Sequence, residues 1–125
     1  MYHTSSPAPI HHVMTAIPAG GEDTARRFYV DLLGLTEEPK PPTLGSRGGI
    51  WLATGSLSLH LGVDPAFVPA TKAHIALVYD NLGDVRNTLS AAGFEPGELE
   101  HELPGFVRCY VSDPFGNRIE LMQPQ

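Results

Sequence analysis

Four landmarks in this 125-residue chain recur at nearly one offset. His12 and His74 are 62 positions apart, Gly34 and Gly93 are 59, Gly55 and Gly116 are 61, and His60 and Glu120 are 60. Each landmark falls at the same place in a strand–helix–hairpin pattern that the chain runs through twice. Identity between the halves is low, so architecture repeats and sequence does not. At this length the two halves make one compact domain, or two very small ones fused.

The first half begins after a lead over residues 1–9, where Thr4, Ser5, Ser6, Pro7 and Pro9 argue for flexibility. Ile10–Ile17 is expected as a strand, closed by Pro18 and the Gly20-Gly21 pair. An amphipathic helix is predicted over about Glu22–Leu33, with Ala25, Phe28, Tyr29, Leu32 and Leu33 at helical spacing. Glu22 and Asp23 suit its first turn and Gly34 its stop. Pro39–Gly49 is loop-rich, with room for one short edge strand, and Ile50–Ala53 and Leu57–Leu61 then read as a hairpin. Asp64–Thr71 is a linker. The second half restarts with strand Ala73–Tyr79. A helix capped by Asn81 follows, carrying Leu82, Val85, Leu89 and Ala92 and stopped by Gly93. After a variable stretch, Glu95–Leu103, the hairpin Phe106–Ser112 and Arg118–Met122 turns through Asp113-Pro114-Phe115-Gly116-Asn117. The modules are therefore about 10–63 and about 72–125.

Composition narrows the function. The net charge is −6 with no basic run, which argues against nucleic acid and anionic membrane as partners. Nothing approaches the roughly 20 apolar residues of a membrane span. Cys109 is the single cysteine, which excludes an intrachain disulfide and a multi-cysteine zinc cluster. No secretory leader is read at the N-terminus, so a cytoplasmic protein is expected.

Strand alternation sorts the side chains. One face of each strand is mostly apolar and suits packing on a helix. The other carries a single ligand-capable residue: His12, His60, His74 or Glu120. Each alone is more simply a hydrogen-bonded histidine or a solvated carboxylate. Together, three imidazoles and a carboxylate match a divalent transition metal, with positions left open for substrate oxygens or water. His11 competes with His12 as first ligand.

Several segments resemble the glyoxalase/bleomycin-resistance/extradiol-dioxygenase group, the vicinal oxygen chelate superfamily. They are His11–Val13, Phe28–Leu35, Ala73–Leu82 and Asp113–Leu121. The resemblance implies an α+β fold: two βαβββ modules whose mixed sheets face each other as a cupped barrel with flanking helices. It implies metal ligands at His12, His74 and Glu120. His60 falls where relatives place a fourth ligand, usually Glu or Gln, so histidine there is a departure. The implied cofactor is a divalent transition metal: zinc, nickel, iron, cobalt or manganese. The implied chemistry is a glyoxalase-like lyase or isomerase that chelates a small oxygen-rich substrate and stabilises an enolate-type intermediate, with Glu120 as ligand and base. An extradiol dioxygenase and a non-enzymatic drug-binding resistance protein are the alternatives. A fosfomycin-type thiol transferase lacks its expected loop before the last strand pair. A homodimer is expected, with modules pairing within one chain or between two.

Other residues have two readings. Trp51 is a cavity wall or a core residue. Arg108 and Tyr110 bind a substrate anion or carbonyl, or form an ordinary strand face. Arg118 is an ion-pair partner of Glu120 or a substrate clamp. Phe28 and Tyr29 are helix core, Cys109 a buried thiol, His101 solvent-facing and His3 inert.

Overall fold

The computed structural model describes residues 10–125. The expected lead over residues 1–9, His3 included, lies outside the described residues. The first module runs β1 (His12–Ile17), helix α1 (Glu22–Ala25, continuing as a π-helix over Arg26–Leu32), β2 (Thr36–Glu38), β3 (Ile50–Thr54) and β4 (Leu57–Val63). Its sheet has the order β1-β4-β3-β2, with β1 parallel to β4 and the other pairs antiparallel. The second module runs β5 (Ile75–Val78), α2 (Leu82–Ala91), β6 (Phe106–Ser112) and β7 (Arg118–Pro124). Its sheet has the order β5-β7-β6, again with a parallel first pair. The α+β class and the twice-run unit are as expected.

Three details differ from the sequence expectation. The first helix is not regular: Leu33 N–H bonds to Phe28 O at 2.9 Å, one residue further back than in an α-helix. This wider turn lets two successive large rings, Phe28 and Tyr29, both point inward with no exposure. The second sheet has three strands, not four. Where a fourth would lie, Glu100 makes a single bridge to Arg108. Pro96 and Pro104 lack the N–H that a longer ladder would need. Finally, Asn81 precedes α2 but makes no side-chain cap bond. Among the described residues the two sheets do not close into a barrel within the chain.

Helices and sheets share one apolar core. Ile17, Leu52, Leu59 and Leu61 from the first sheet and Cys109, Ile119 and Leu121 from the second are all at most 1 % exposed. Phe28 meets Phe94 edge-on at 4.9 Å and so joins the modules on the helical side. Gly34 and Gly93 end the two helices at φ of 85° and 91°, where a side chain would be strained.

A buried polar knot fastens the modules. The Asn117 amide donates to the carbonyl of Ala16 on β1 at 2.9 Å and to Asp113 Oδ2 at 3.0 Å. Its oxygen accepts the N–H of Ala70 at 2.9 Å. Tyr29 donates its hydroxyl to Asp113 Oδ2 at 2.6 Å, and Asp113 Oδ1 accepts the N–H groups of Phe115 and Asn117 at 2.8 Å each. Burial, then the Asp113 charge, push the Tyr29 phenol far above its ordinary range, so it stays a donor. Asn117→Ala would strand the Ala16 carbonyl and the Ala70 N–H. Unmet buried groups cost about 1–3 kcal/mol each, so a loss of roughly 2–4 kcal/mol in urea unfolding is expected; a loss below about 0.5 kcal/mol would show that the knot does not couple the modules.

Candidate functional site

The concave face of the first sheet is set by register. Met14 opposes His60, His60 opposes Trp51 and Trp51 opposes Glu38, so all project to one side, together with His12. The aromatic members form a continuous stack. The Trp51 indole lies on the His60 ring at 4.1 Å with 4° between planes, and His60 lies on His12 at 4.1 Å with 13°. His11 Nδ1 lies 2.9 Å from His12 Nδ1. Burial lowers the His60 pKa, with His12 and His11 acting the same way and Glu38 opposing. The ring is therefore held neutral, as a metal ligand must be. Beside the stack lies a cavity of about 290 Å³ lined by His12, Met14, Lys40, Trp51, His60 and Gly62. Lys40 spends its ammonium on backbone carbonyls, donating to Arg47 and to Gly49. The Met14 thioether fills the space in front of Gly62, where an added Cβ would meet Met14 Sδ at 2.6 Å.

The second sheet carries the other pair. Glu120 opposes Ala76 and Tyr110, and its side chain is 7 % exposed. His74 Nε2 lies 2.9 Å from Glu120 Oε1, while His74 Nδ1 lies 2.8 Å from the Lys72 carbonyl. A carbonyl only accepts, so Nδ1 carries the proton there. In neutral His74 that leaves the Nε2 lone pair facing a carboxylate oxygen. Two acceptors at this separation are stable only with a proton or a cation between them. The donor set of this pair thus fits a divalent metal, and the Lys72 carbonyl orients the imidazole in the way outer partners of metal-binding histidines do.

The four expected ligands fall into two pairs, His12 with His60 and His74 with Glu120, on different sheets. Among the described residues, no group of three or more His, Cys, Asp or Glu side chains is placed to share one ion. A larger cavity, about 440 Å³, is lined by Leu33, Leu35, Leu77 and Tyr79 among others and holds none of the four.

The arginines exchange their expected roles. Arg108, not Arg118, pairs with Glu120, at 3.4 Å from Oε2, and also reaches Glu100 at 3.7 Å. Arg118 instead lies over the Tyr110 ring, its guanidinium carbon 3.7 Å from the centroid. Trp51 is half-buried and borders the cavity of about 290 Å³. Cys109 is a buried free thiol and His101 is exposed. Asp113 and Asn117, read in the sequence only as a turn, hold the Glu120 strand in place. The signal was there: two short polar residues bracketing a Pro-Phe-Gly turn can cap it from inside.

The chain has one tryptophan, so its emission reports on the stack. His60→Ala removes the middle ring and exposes the indole to water. A red shift of several nanometres is expected, and an unshifted spectrum would show that the rings do not stack in solution.

Comparison with known proteins agrees with this architecture. The family profile described as Glyoxalase/Bleomycin resistance protein/Dioxygenase superfamily matches residues 9–121. A glyoxalase family protein from Bacillus anthracis is 40% identical, with a TM-score of 0.90 over 98% of this chain and 100% of the other. The fosfomycin resistance protein FosX from Listeria monocytogenes is 13% identical, with a TM-score of 0.77 over 96% of each chain. Lactoylglutathione lyase from Agrobacterium tumefaciens is 20% identical, with a TM-score of 0.71 over 95% of this chain and 96% of the other. The last two likenesses show the fold alone. No curated protein matches the chain. Among the described residues no helix is long and apolar enough to cross a membrane.

Proposed function

The chain belongs to the Glyoxalase/Bleomycin resistance protein/Dioxygenase superfamily, and on that premise we propose that it is a metal-dependent glyoxalase-like enzyme. It acts as a lyase or isomerase on a small oxygen-rich substrate. One observation carries this reading: His74 Nε2 and Glu120 Oε1 lie 2.9 Å apart, with the His74 ring oriented from behind by the Lys72 carbonyl.

The metal-binding residues are His12, His60, His74 and Glu120. A divalent transition ion there, whether zinc, nickel, iron, cobalt or manganese, supplies Lewis-acid stabilisation of the charge that develops on a substrate oxygen. The side chains do the rest. Glu120 accepts the proton leaving the adjacent carbon. Arg108, 3.4 Å from Oε2, limits where that carboxylate can swing. Trp51 walls the cavity and keeps water from one side.

The working unit is a homodimer. Met14 and Val78 are 62% and 61% exposed on the ligand-bearing faces, large apolar side chains in need of cover. One site takes His12 and His60 from one copy and His74 and Glu120 from the other. The proposed compartment is the cytoplasm, consistent with a lone unpaired thiol.

Metal titration by calorimetry of chelator-treated protein tests this, with one ion per chain expected. His74→Ala and Glu120→Gln should each weaken binding at least ~10-fold. Co-refolding His12→Ala chains with Glu120→Gln chains should restore one tight site per mixed dimer. Tight binding by the mixture no better than by either variant alone would rule out a site shared between copies. A wild-type protein that binds no divalent ion, yet takes up a planar drug on the Trp51 stack, would be a sequestering receptor instead.

A further inference from the structure

The second sheet holds two guanidinium groups against one tyrosine ring, and their bonding is unequal. Arg108 is occupied by Glu120 and Glu100. Arg118 sits closer to the ring, at 3.7 Å against 5.7 Å, and among the described residues no carboxylate lies within 4 Å of it. Its position is nonetheless fixed. The side chain is half-buried, its backbone N–H donates to Ala70 O at 2.9 Å, and the ring beneath restricts its swing. Arg118 shares the face of Glu120, two residues along the same strand. Tyr110 opposes Glu120 in register and meets the His74 ring edge-on at 5.5 Å. Arg118 also lines a cavity of about 300 Å³ that includes His74, Met14 and Asn117, and another of about 250 Å³ that includes Tyr110 and Ser112.

Arg108 differs from Arg118 in a further respect. Arg108 Nε is buried without a hydrogen-bond partner among the described residues. A donor with no solvent exposure does not meet an incoming ligand, so Arg118 is the guanidinium of the pair left open. The Tyr110 cluster therefore offers more cationic donors than its own carboxylates satisfy, although the chain as a whole carries −6.

We propose that Arg118, seated on Tyr110 beside the His74–Glu120 pair, anchors an oxyanion on the substrate, so that the enzyme acts on small anionic compounds and discriminates against their neutral analogues. This rests on the His74–Glu120 pair being the reacting centre. The guanidinium fork matches a group with two oxygens in one plane, a carboxylate or one edge of a phosphonate. Such a group would be held a short distance from the oxygens that the reacting centre engages. Arg118 thereby selects the substrate and fixes its orientation, and takes no proton.

Three probes test the assignment by calorimetry on metal-free and metal-loaded protein: mandelate, its neutral methyl ester, and phenylphosphonate. Mandelate should bind wild-type protein about 10- to 100-fold more tightly than the ester, the range expected for one charge-assisted pairing. Arg118→Met should bring the two within about 3-fold, and Arg118→Lys should keep part of the preference. Metal affinity should be unchanged in both variants, which separates this assignment from the metal site itself. Comparing mandelate with phenylphosphonate shows which oxyanion the fork prefers. Equal binding of acid and ester by wild type, a preference that survives in Arg118→Met, or no saturable binding of either anion to metal-loaded wild type would each overturn it. Loss of metal binding in wild type, with the acid preference intact, would sink the enzyme reading and leave Arg118 as an anion anchor.

Discussion

The Asp113–Asn117 knot is the interaction on which the rest of the molecule depends. Asp113 is a buried carboxylate with no cation beside it among the described residues, stabilised by hydrogen bonds from Tyr29, Phe115 and Asn117. Such a charge is tolerated only when its lone pairs are met. Meeting them requires the helix of the first module and the turn of the second to be in place at once, and the linker joins through the Ala70 N–H on the Asn117 oxygen. Asn117 adds the last strand turn of β1 through Ala16. Because β7 starts at the residue after Asn117, the same set of bonds determines where Arg118 and Glu120 begin. Folding and site placement are thus one event at this point.

That event leaves two half-built faces. Each sheet puts its apolar side on the helices and its chemistry on the side away from them. In the first sheet the open side is an aromatic stack of Trp51, His60 and His12. In the second it is a histidine–carboxylate pair ringed by guanidinium and phenol. Among the described residues, neither face holds more than two side chains placed for one ion. Each supplies what the other lacks: the first a flat aromatic wall with two imidazoles, the second a buried carboxylate and a fixed guanidinium. The repeated fold thus gives two unlike surfaces on one scaffold, which suits opposition of one to the other across a ligand.

Much of this was legible in the chain itself. Period-2 alternation separated the two sides of each strand, and so placed Arg108 with Tyr110, and Arg118 with Glu120, on common faces. The 60-residue recurrence gave the module order. What alternation could not give was pairing across strands. Arg108 and Arg118 share the sheet face of Glu120, and only the β6–β7 register, with Tyr110 opposite Glu120, decides which one reaches the carboxylate. The π-helix was also illegible, because Phe28 and Tyr29 fit a regular apolar stripe well enough and the extra residue per turn comes from tertiary packing. The missing fourth strand was half-written: Pro96, Gly97, Pro104 and Gly105 signalled interruption, but the single Glu100 bridge depends on contacts with β6.

The thioether in front of Gly62 has an evolutionary consequence. Adding one methyl at position 62 would collide with the Met14 side chain, a flexible group that can rotate away, and not with backbone. Gly49 is the opposite case, since a Cβ there would run into the Leu61 carbonyl and force β3 from β4. Met14 borders both the cavity of the aromatic stack and the one that holds His74 and Arg118. A single small mutation could therefore remodel two cavities at once while the folding core stays untouched. A scaffold with such an adjustable point can drift from one cargo to another in short steps.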